Sequence, residues 1–319
     1  MIPSAFDYVA PRTLEEALKA IAVGGAEVKA LSGGQSLIPL LKLRLAAPAL
    51  VVDLGKVGIL RRIEAGGDPI VLGALATHAM IEDSPDLAAA CPLLCEVAAS
   101  IGDRQVRNRG TIGGSLAHAD PAADWPAAAL ALDAEIAVVS AIGAPGSARR
   151  PAGGIGGGSE AEAPPEDRPT AKPRTIAARD FFRGMLSTAL ADGEILVEVR
   201  LRRPGPGGAA YQKVKQSASG FAVCGVAAQL EYGPDRVCKR AAVAVTGVAD
   251  RAYRATAVEK ALASRRLDEA AIAAAAALAA DGVADPLADI HASGDYRLHL
   301  ARVHCARALR RAARLGAAP

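Results

Sequence analysis

Two glycine pairs, each flanked by hydroxyl or amide side chains, are the residues of this chain most suited to holding a charged ligand. They lie in the segments LSGGQS (31–36) and TIGGS (111–115). Glycine lets the backbone turn through positive φ and bring its N–H groups close to a ligand. Consecutive N–H groups can then form a concave site for a phosphate. Two such segments predict a ligand with an extended charged middle, such as the pyrophosphate of a dinucleotide. The alternative for either segment alone is a tight turn that requires glycine.

Neither segment matches the familiar nucleotide-binding motifs. The Rossmann fingerprint needs G-x-G-x-x-G, and the P-loop needs G-x-x-x-x-G-K-[ST]. The spacing in LSGGQS fits neither motif, which disfavours an NAD dehydrogenase built on the Rossmann fold. The sequence also contains no H-E-x-x-H and no G-x-S-x-G. It therefore shows no constellation for bond-making chemistry, and no catalytic or metal-binding residue is predicted.

The composition indicates a globular protein of two or three domains. The chain has 319 residues and a net charge of +3, which calls for neither nucleic acid nor a membrane surface as a partner. No apolar run is long enough to span a bilayer and no signal segment is recognised, so we expect a cytoplasmic protein without a membrane span. The cysteines are interpreted as small core residues that cannot hold an iron–sulfur cluster. They are Cys91, Cys95, Cys224, Cys238 and Cys305.

The hydrophobic pattern predicts an N-terminal domain over residues 1–140, made of two units at about 1–60 and 61–140. Thr13 and Glu16 form a capping box that starts the first helix. Short strands at 28–31 and 50–54 position the first glycine segment. In the second unit we expect strands at 70–74 and 135–139, with helices near Thr77 and at 92–101 and 124–132.

Residues 141–175 interrupt this pattern. They contain seven glycines and six prolines, with few large apolar residues. Such a segment buries too little apolar surface to offset its ordering entropy, so we predict a flexible insert or linker. The remaining residues, 176–319, are predicted to form a C-terminal domain. Its expected elements are a four-stranded antiparallel meander at 194–201, 211–215, 221–232 and 237–245, and helices at 255–263, 267–281 and 296–315.

The two glycine segments, read as LSGGQSLIPLLKLRL and TIGGSLAHADPAAD, resemble the FAD-binding signatures of the medium subunit of molybdenum hydroxylases. That family includes aerobic carbon monoxide dehydrogenase and xanthine dehydrogenase. The resemblance extends from FDYVAPRTLEEAL to SGDYRLHL, apart from the insert. It implies an α+β protein with an FAD-binding domain of the vanillyl-alcohol oxidase/p-cresol methylhydroxylase type, made of two α/β subdomains. A C-terminal domain with an antiparallel sheet and helices follows.

The resemblance also implies which residues contact FAD. For three of these residues, a structural role that does not involve FAD stays open. The alternative for Asp124 is the N-cap of a helix. The alternative for His118 is an ordinary loop position, and that for Lys215 is a solvent-exposed strand face. The first segment contributes Ser32, Gly33, Gly34, Gln35 and Ser36, the second Thr111, Gly113, Gly114 and Ser115, and the rest of the chain His118, Asp124, Leu196, Tyr211 and Lys215.

By the same resemblance, the chain is an FAD-carrying electron-transfer subunit. The expected partners are a large subunit with a molybdopterin cofactor and a small subunit with [2Fe-2S] clusters, assembled as a dimer of heterotrimers. Electrons would pass from the clusters through FAD to an external acceptor. Two alternatives stay open: a free-standing FAD-dependent oxidase that acts on its own substrate, and a non-catalytic module that has lost FAD. The arginines of the last helix suit a solvated face or a partner contact.

Overall fold

The computed structural model describes residues 2–24, 27–140, 173–233, 235 and 237–315. Residues 141–172 of the predicted insert lie outside the described residues. Among those described, no helix is both long enough and apolar enough to cross a bilayer.

The first subdomain is a small parallel sheet with helices against it. Its sheet has the order β1-β3-β2. The predicted capping box is present, because Thr13 Oγ1 accepts from the N–H of Glu16 at 3.2 Å and the Glu16 carboxylate accepts from the N–H of Thr13. The elements are β1 (Asp7–Val9), α1 (Leu14–Gly24), β2 (Val28–Leu31), α2 (Leu37–Lys42) and β3 (Leu50–Asp53).

The second subdomain is built on a five-stranded antiparallel sheet of order β4-β5-β10-β6-β7. Short helices cover it, several of them starting at a Ser, Thr or Asp cap. Its strands are β4 (Ile63–Glu64), β5 (Ile70–Gly73), β6 (Glu135–Ser140), β7 (Arg174–Ala177), a β8 (Phe182–Gly184) and β9 (Ser187–Thr188) hairpin, and β10 (Glu194–Leu201). Its helices are α3 (His78–Glu82), α4 (Pro85–Ala90), α5 (Pro92–Ser100), α6 (Arg104–Arg109), α7 (Ile112–His118), α8 (Trp125–Ala131) and α9 (Ala178–Phe181).

The expected four-stranded meander is wrong in its first strand, because the strand at 194–201 (β10) belongs to a different sheet. β10 pairs with β5 and β6 in the second subdomain and not with the strands that follow it. The physical reason is that β10 is apolar on both faces: Ile195 and Val197 join one core cluster, while Leu196 and Val199 join another. Such a strand occupies the centre of a covered sheet. This sheet crosses the predicted boundary at 176, and the domain limits themselves stay a prediction.

The C-terminal domain has a sheet of order β11-β12-β13-β14, covered on one face by α12 and on the other by α8 of the second subdomain. Part of the basic face of α12 is paired within the chain, because Arg310 binds Glu269 and Arg311 binds Glu96. The elements are β11 (Gly207–Lys215), β12 (Ala222–Tyr232), β13 (Cys238–Thr246), β14 (Tyr253–Arg254), α10 (Thr256–Leu262), α11 (Glu269–Ala276) and α12 (Gly294–Leu315).

Candidate functional site

A cleft of about 630 Å³ brings the two glycine segments together. It is lined by residues from both N-terminal subdomains and by the Ser219–Phe221 turn of the C-terminal domain. All the predicted residues of the two segments line it, as do His118, Asp124 and Leu196, whereas Tyr211 and Lys215 do not. This volume is within the usual range of cofactor sites.

The first glycine segment forms the turn between β2 and α2, and it presents unpaired donors. Gly34 has φ +76°, a conformation that favours glycine. The N–H groups of Gly34, Gln35 and Ser36 donate to no group among the residues that the structure describes. The Ser36 side chain makes no capping hydrogen bond at the start of α2. Backbone and hydroxyl donors are therefore available here to an anion, as expected from the sequence.

The second glycine segment is the first turn of a helix and not a loop. Thr111 is the N-cap of α7, and its Oγ1 accepts from the N–H of Gly114 at 3.1 Å. The N–H groups of Ile112 and Gly113 donate to carbonyl groups in the turn after β5. Backbone donors are thus consumed within the protein, so the expectation of backbone donors from this segment is wrong. Its hydroxyl groups, on Thr111 and Ser115, are what it offers to a ligand in the cleft.

The two segments contact each other directly. Ser32 Oγ lies 2.7 Å from Thr111 Oγ1 in a hydrogen bond between the segments. A Cβ on Gly33 would overlap the carbonyl of Arg109, and one on Gly113 would lie 2.6 Å from the Cβ of Ala74. These glycines are therefore required by close backbone packing at the cleft wall. From the sequence, these glycines were expected only to let the backbone come close to a ligand. Their role in packing is a second one, which the sequence did not reveal.

Asp124 is a buried carboxylate in the cleft wall, held by the C-terminal sheet. It is 4% exposed. Its Oδ1 accepts from the Tyr211 hydroxyl at 2.5 Å, and its Oδ2 accepts from Lys213 Nζ at 2.8 Å. Burial raises the pKa of Asp124, and burial together with this carboxylate raises the pKa of Tyr211. Asp124 occupies the N-cap position of α8, as the alternative expected, but its side chain caps no helix N–H and pairs with Tyr211 and Lys213 instead.

The lysine that contacts this site is Lys213, which binds Asp124, whereas the residue expected from the sequence was Lys215. Lys215 is exposed, and it lies beyond a register shift between Val214 and Lys215 in the pairing of β11 with β12. A bulge of this kind breaks the two-residue alternation of side chains. No residue type in the sequence marks the bulge. Tyr211 and Lys213, two residues apart before it, share the face that reaches Asp124.

His78 is a further residue of the cleft that sequence reasoning missed. It is 4% exposed, and its Nδ1 accepts from Trp125 Nε1 at 3.0 Å. Burial, with a smaller contribution from the nearby Arg107 cation, lowers the pKa of His78 to about 4. The imidazole is therefore neutral at pH 7. His118, which was predicted, also lines the cleft and is partly exposed.

The cleft also has apolar lining residues. Leu196 is 5% exposed beside Ile195 at the start of β10, and Phe221 lies in the Ser219–Phe221 turn with 41% of its surface exposed. The cleft thus combines donors suited to a diphosphate with an apolar region suited to an aromatic ring system. This donor set fits FAD.

Comparisons with known proteins agree with this geometry. Residues 4–147 match the FAD-binding domain in molybdopterin dehydrogenase, and residues 209–312 match the CO dehydrogenase flavoprotein C-terminal domain. The chain is 34% identical to subunit alpha of the 6-hydroxypseudooxynicotine dehydrogenase complex of Paenarthrobacter nicotinovorans, over 98% of this chain and 96% of that one. It is 33% identical to the carbon monoxide dehydrogenase medium chain of Hydrogenophaga pseudoflava, over 97% of each.

Solved structures give the same result. A structure of carbon monoxide dehydrogenase from Hydrogenophaga pseudoflava that lacks the Mo-pyranopterin moiety superposes with a TM-score of 0.85 at 34% identity, covering 98% of both chains. Quinoline 2-oxidoreductase from Pseudomonas putida 86 gives a TM-score of 0.84 at 33% identity, covering 98% of this chain and 99% of that chain.

The fold and these matches define an FAD-binding subunit of an oxidoreductase. The chain belongs to the family of carbon monoxide dehydrogenase-like medium subunits of molybdenum hydroxylases. The resemblance drawn from the two glycine segments, the implied fold and the assignment of FAD as cofactor are confirmed.

Proposed function

We propose that this chain is the electron-transfer subunit of a molybdenum hydroxylase. In this proposal, a small partner carries [2Fe-2S] clusters, a large partner carries molybdopterin, and the complex is a dimer of heterotrimers in the cytoplasm. FAD, when bound, supplies the capacity to take up electrons from the clusters and release them to an external acceptor. The observation that carries the proposal is the cleft in which both glycine segments converge.

In this proposal the two segments bind the diphosphate by different means. The first supplies the unpaired N–H groups of Gly34, Gln35 and Ser36. The second supplies the hydroxyl of Ser115, and Ser32 of the first segment and Thr111 of the second contribute a hydrogen-bonded pair of hydroxyl groups. Neither segment contains a lysine or arginine, so the donors that these two segments offer to the phosphates are neutral. Such a site binds the phosphates through oriented dipoles.

Asp124, His118 and Leu196 complete the site. Each carboxylate oxygen of Asp124 already accepts one hydrogen bond, and each can accept a second from a sugar or ribityl hydroxyl. His118 is placed to make a further polar contact in the cleft. Leu196 offers an apolar contact for the flavin ring. Tyr211 belongs to the site through its hydrogen bond to Asp124, and Lys215 is given no role.

The proposal is tested by comparing the isolated FAD-loaded chain with the assembled complex under anaerobic conditions. Carbon monoxide, purines, aldehydes and N-heterocycles are added in turn, and flavin absorbance near its visible maximum is followed. We expect no bleaching of the isolated chain and bleaching of the complex with one of these substrate classes. Rapid bleaching of the isolated chain would instead support the free-standing oxidase. A chain that binds no flavin would support the non-catalytic module.

A further inference from the structure

His78 is the first residue of α3, and one of its two ring nitrogens is left without a hydrogen bond. Nδ1 accepts from the indole N–H of Trp125 at 3.0 Å, whereas Nε2 bonds to no group among the residues that the structure describes. Nε2 is also not one of the fully enclosed side-chain atoms that lack a partner in this part of the chain. Since His78 is 4% exposed and lines the cofactor cleft, its Nε2 opens toward that cleft.

Trp125 determines which nitrogen of His78 carries the proton. An indole N–H is only a donor, so Nδ1 must present its lone pair to it. The neutral imidazole then carries its hydrogen on Nε2, because a proton on Nδ1 would set two N–H groups against each other. Trp125 is 1% exposed at the start of α8, so the core holds its indole in place. Nε2 is therefore a donor and not an acceptor.

Backbone contacts place this imidazole beside the second glycine segment. The N–H of His78 donates to the carbonyl of Gly110 at 3.0 Å, and Thr77 pairs with Thr111 in an isolated bridge. A Cβ on Gly110 would lie 2.6 Å from Nε2, so any side chain at that position would displace the imidazole. The ring thus lies next to the N-cap of α7, whose hydroxyl group is bonded to that of Ser32.

A nitrogen donor at this place supplies what the second glycine segment lacks. The N–H groups of Ile112, Gly113 and Gly114 all donate within the protein. A ligand against this segment therefore finds the hydroxyl group of Thr111 in place of these N–H groups. The Nε2–H of His78 lies on the same side and is free. A buried donor without a partner costs free energy, which a ligand oxygen recovers when it binds there.

We propose that the Nε2–H group of His78 donates a hydrogen bond to an oxygen of the diphosphate of bound FAD, with Trp125 as the residue that fixes the donor. This rests on the proposed function, in which the two glycine segments hold that diphosphate. Asp124 and Trp125 are consecutive at the start of α8. One helix end therefore places an acceptor in the cleft wall and fixes a donor in the same wall.

The test is equilibrium titration of the flavin-free protein with FAD and with riboflavin, both as the full chain and as the assembled complex. His78→Leu removes the donor. We expect it to lower FAD affinity at least about tenfold, as for a lost hydrogen bond to a charged group, and to leave riboflavin affinity unchanged. His78→Gln should retain most of the FAD affinity, because its amide offers both an N–H donor and an acceptor for Trp125. His304→Leu is the matched control, since His304 is a buried histidine of α12 outside the cleft, and it should bind FAD like the unaltered chain.

Nuclear magnetic resonance of the full chain labelled with ¹⁵N-histidine is a second measurement, which does not depend on how well His78→Leu folds. The signals of His78 are assigned by their absence in His78→Gln. At pH 7 we expect a protonated Nε2 and an unprotonated Nδ1 in the flavin-free chain. The Nε2 signal should shift with FAD and with ADP, which carries a diphosphate without a flavin, and it should not shift with riboflavin.

Full FAD affinity in His78→Leu, or a proton on Nδ1 in the flavin-free chain, would overturn the proposal. An equal loss of riboflavin affinity in His78→Leu would move the contact to the flavin or its ribityl chain and would also overturn it. These outcomes leave the proposed function intact. Unaltered protein that binds no FAD, either as the full chain or in the complex, would contradict the proposed function itself.

Discussion

Ser32 Oγ and Thr111 Oγ1 lie 2.7 Å apart, although 79 residues separate them in the chain. Ser32 belongs to the turn after β2 of the first subdomain, and Thr111 caps α7 in the second. Their hydrogen bond therefore joins the two subdomains at the cofactor cleft. The two glycine segments therefore form one composite site, in which the hydroxyl groups of Ser32 and Thr111 fix each other's position.

Thr111→Val tests this joint. The variant loses both the cap of α7 and the bond to Ser32, so we expect FAD affinity to fall about tenfold, equivalent to about 1.4 kcal/mol. The free energy of unfolding should fall by about 1 kcal/mol, as for other lost caps. Ser84→Ala is the control, because Ser84 caps α4 away from the cleft by accepting from the N–H of Leu87. It should lose similar stability and keep FAD affinity, as measured by fluorescence titration. Equal FAD affinity in both variants would refute the assigned role of Thr111.

Gly34→Ala tests the first segment. Gly34 and Gly282 both have positive φ, +76° and +86° respectively, so alanine at either position is strained by about 1 kcal/mol. A Cβ on Gly282 meets nothing within 4 Å, whereas one on Gly34 lies 2.6 Å from Ile38 Cδ1. We expect both variants to lose stability in chemical denaturation and only Gly34→Ala to lose FAD, by at least tenfold in affinity. Loss of FAD from Gly282→Ala to the same extent would show that backbone strain alone explains the effect.

Lys213→Met tests the pairing with Asp124. Removing the cation leaves a buried carboxylate uncompensated, and we expect the free energy of unfolding at pH 7 to fall by about 3–5 kcal/mol. The pKa of Asp124, already raised by burial, rises further. A carboxyl group whose pKa is raised on folding favours the folded state increasingly as pH falls. The stability deficit of the variant should therefore shrink between pH 7 and pH 5. Lys215→Met, at an exposed position on the same strand, should change stability by less than about 0.5 kcal/mol at both pH values. A deficit that does not depend on pH would contradict this account.

Because His78 is buried as the neutral imidazole, we expect the free energy of unfolding to fall in acid. Its pKa falls from 6.5 to about 4 on folding, so the folded state holds the neutral imidazole. A base with a lowered pKa contributes stability that is present above pH 6.5 and lost as pH falls toward 4. The difference corresponds to about 3 kcal/mol. His78→Gln keeps an acceptor for Trp125 Nε1 and removes the titration. Denaturant unfolding at pH 7.5, 5.5 and 4.5 should show a smaller acid loss in the variant, and parallel curves would exclude His78 as the cause.

The sequence predicts which residues belong to the site better than it predicts how those residues and their strands are arranged in three dimensions. The glycine segments, the capping box at Thr13 and the β2 strand follow from local patterns, because each depends on residues close together in the chain. The position of β10 depends on which sheet covers both its faces, and this is a long-range property that turn spacing does not encode. The choice of Lys213 over Lys215 depends on a bulge that no residue type announces. The N-cap role of Thr111 could have been predicted from the sequence, since threonine is a common residue at the position just before a helix.

The most direct test of the central claim, that the two joined segments hold the diphosphate of FAD, is equilibrium titration of the isolated, flavin-free chain with FAD, FMN and riboflavin. The account predicts one FAD per chain, bound at least a hundredfold more tightly than riboflavin, with FMN between them. It also predicts that the Ser32→Ala/Thr111→Val double variant loses most of this discrimination while retaining its riboflavin affinity. Equal affinity of the unaltered chain for FAD and riboflavin, or full discrimination in the double variant, would contradict it.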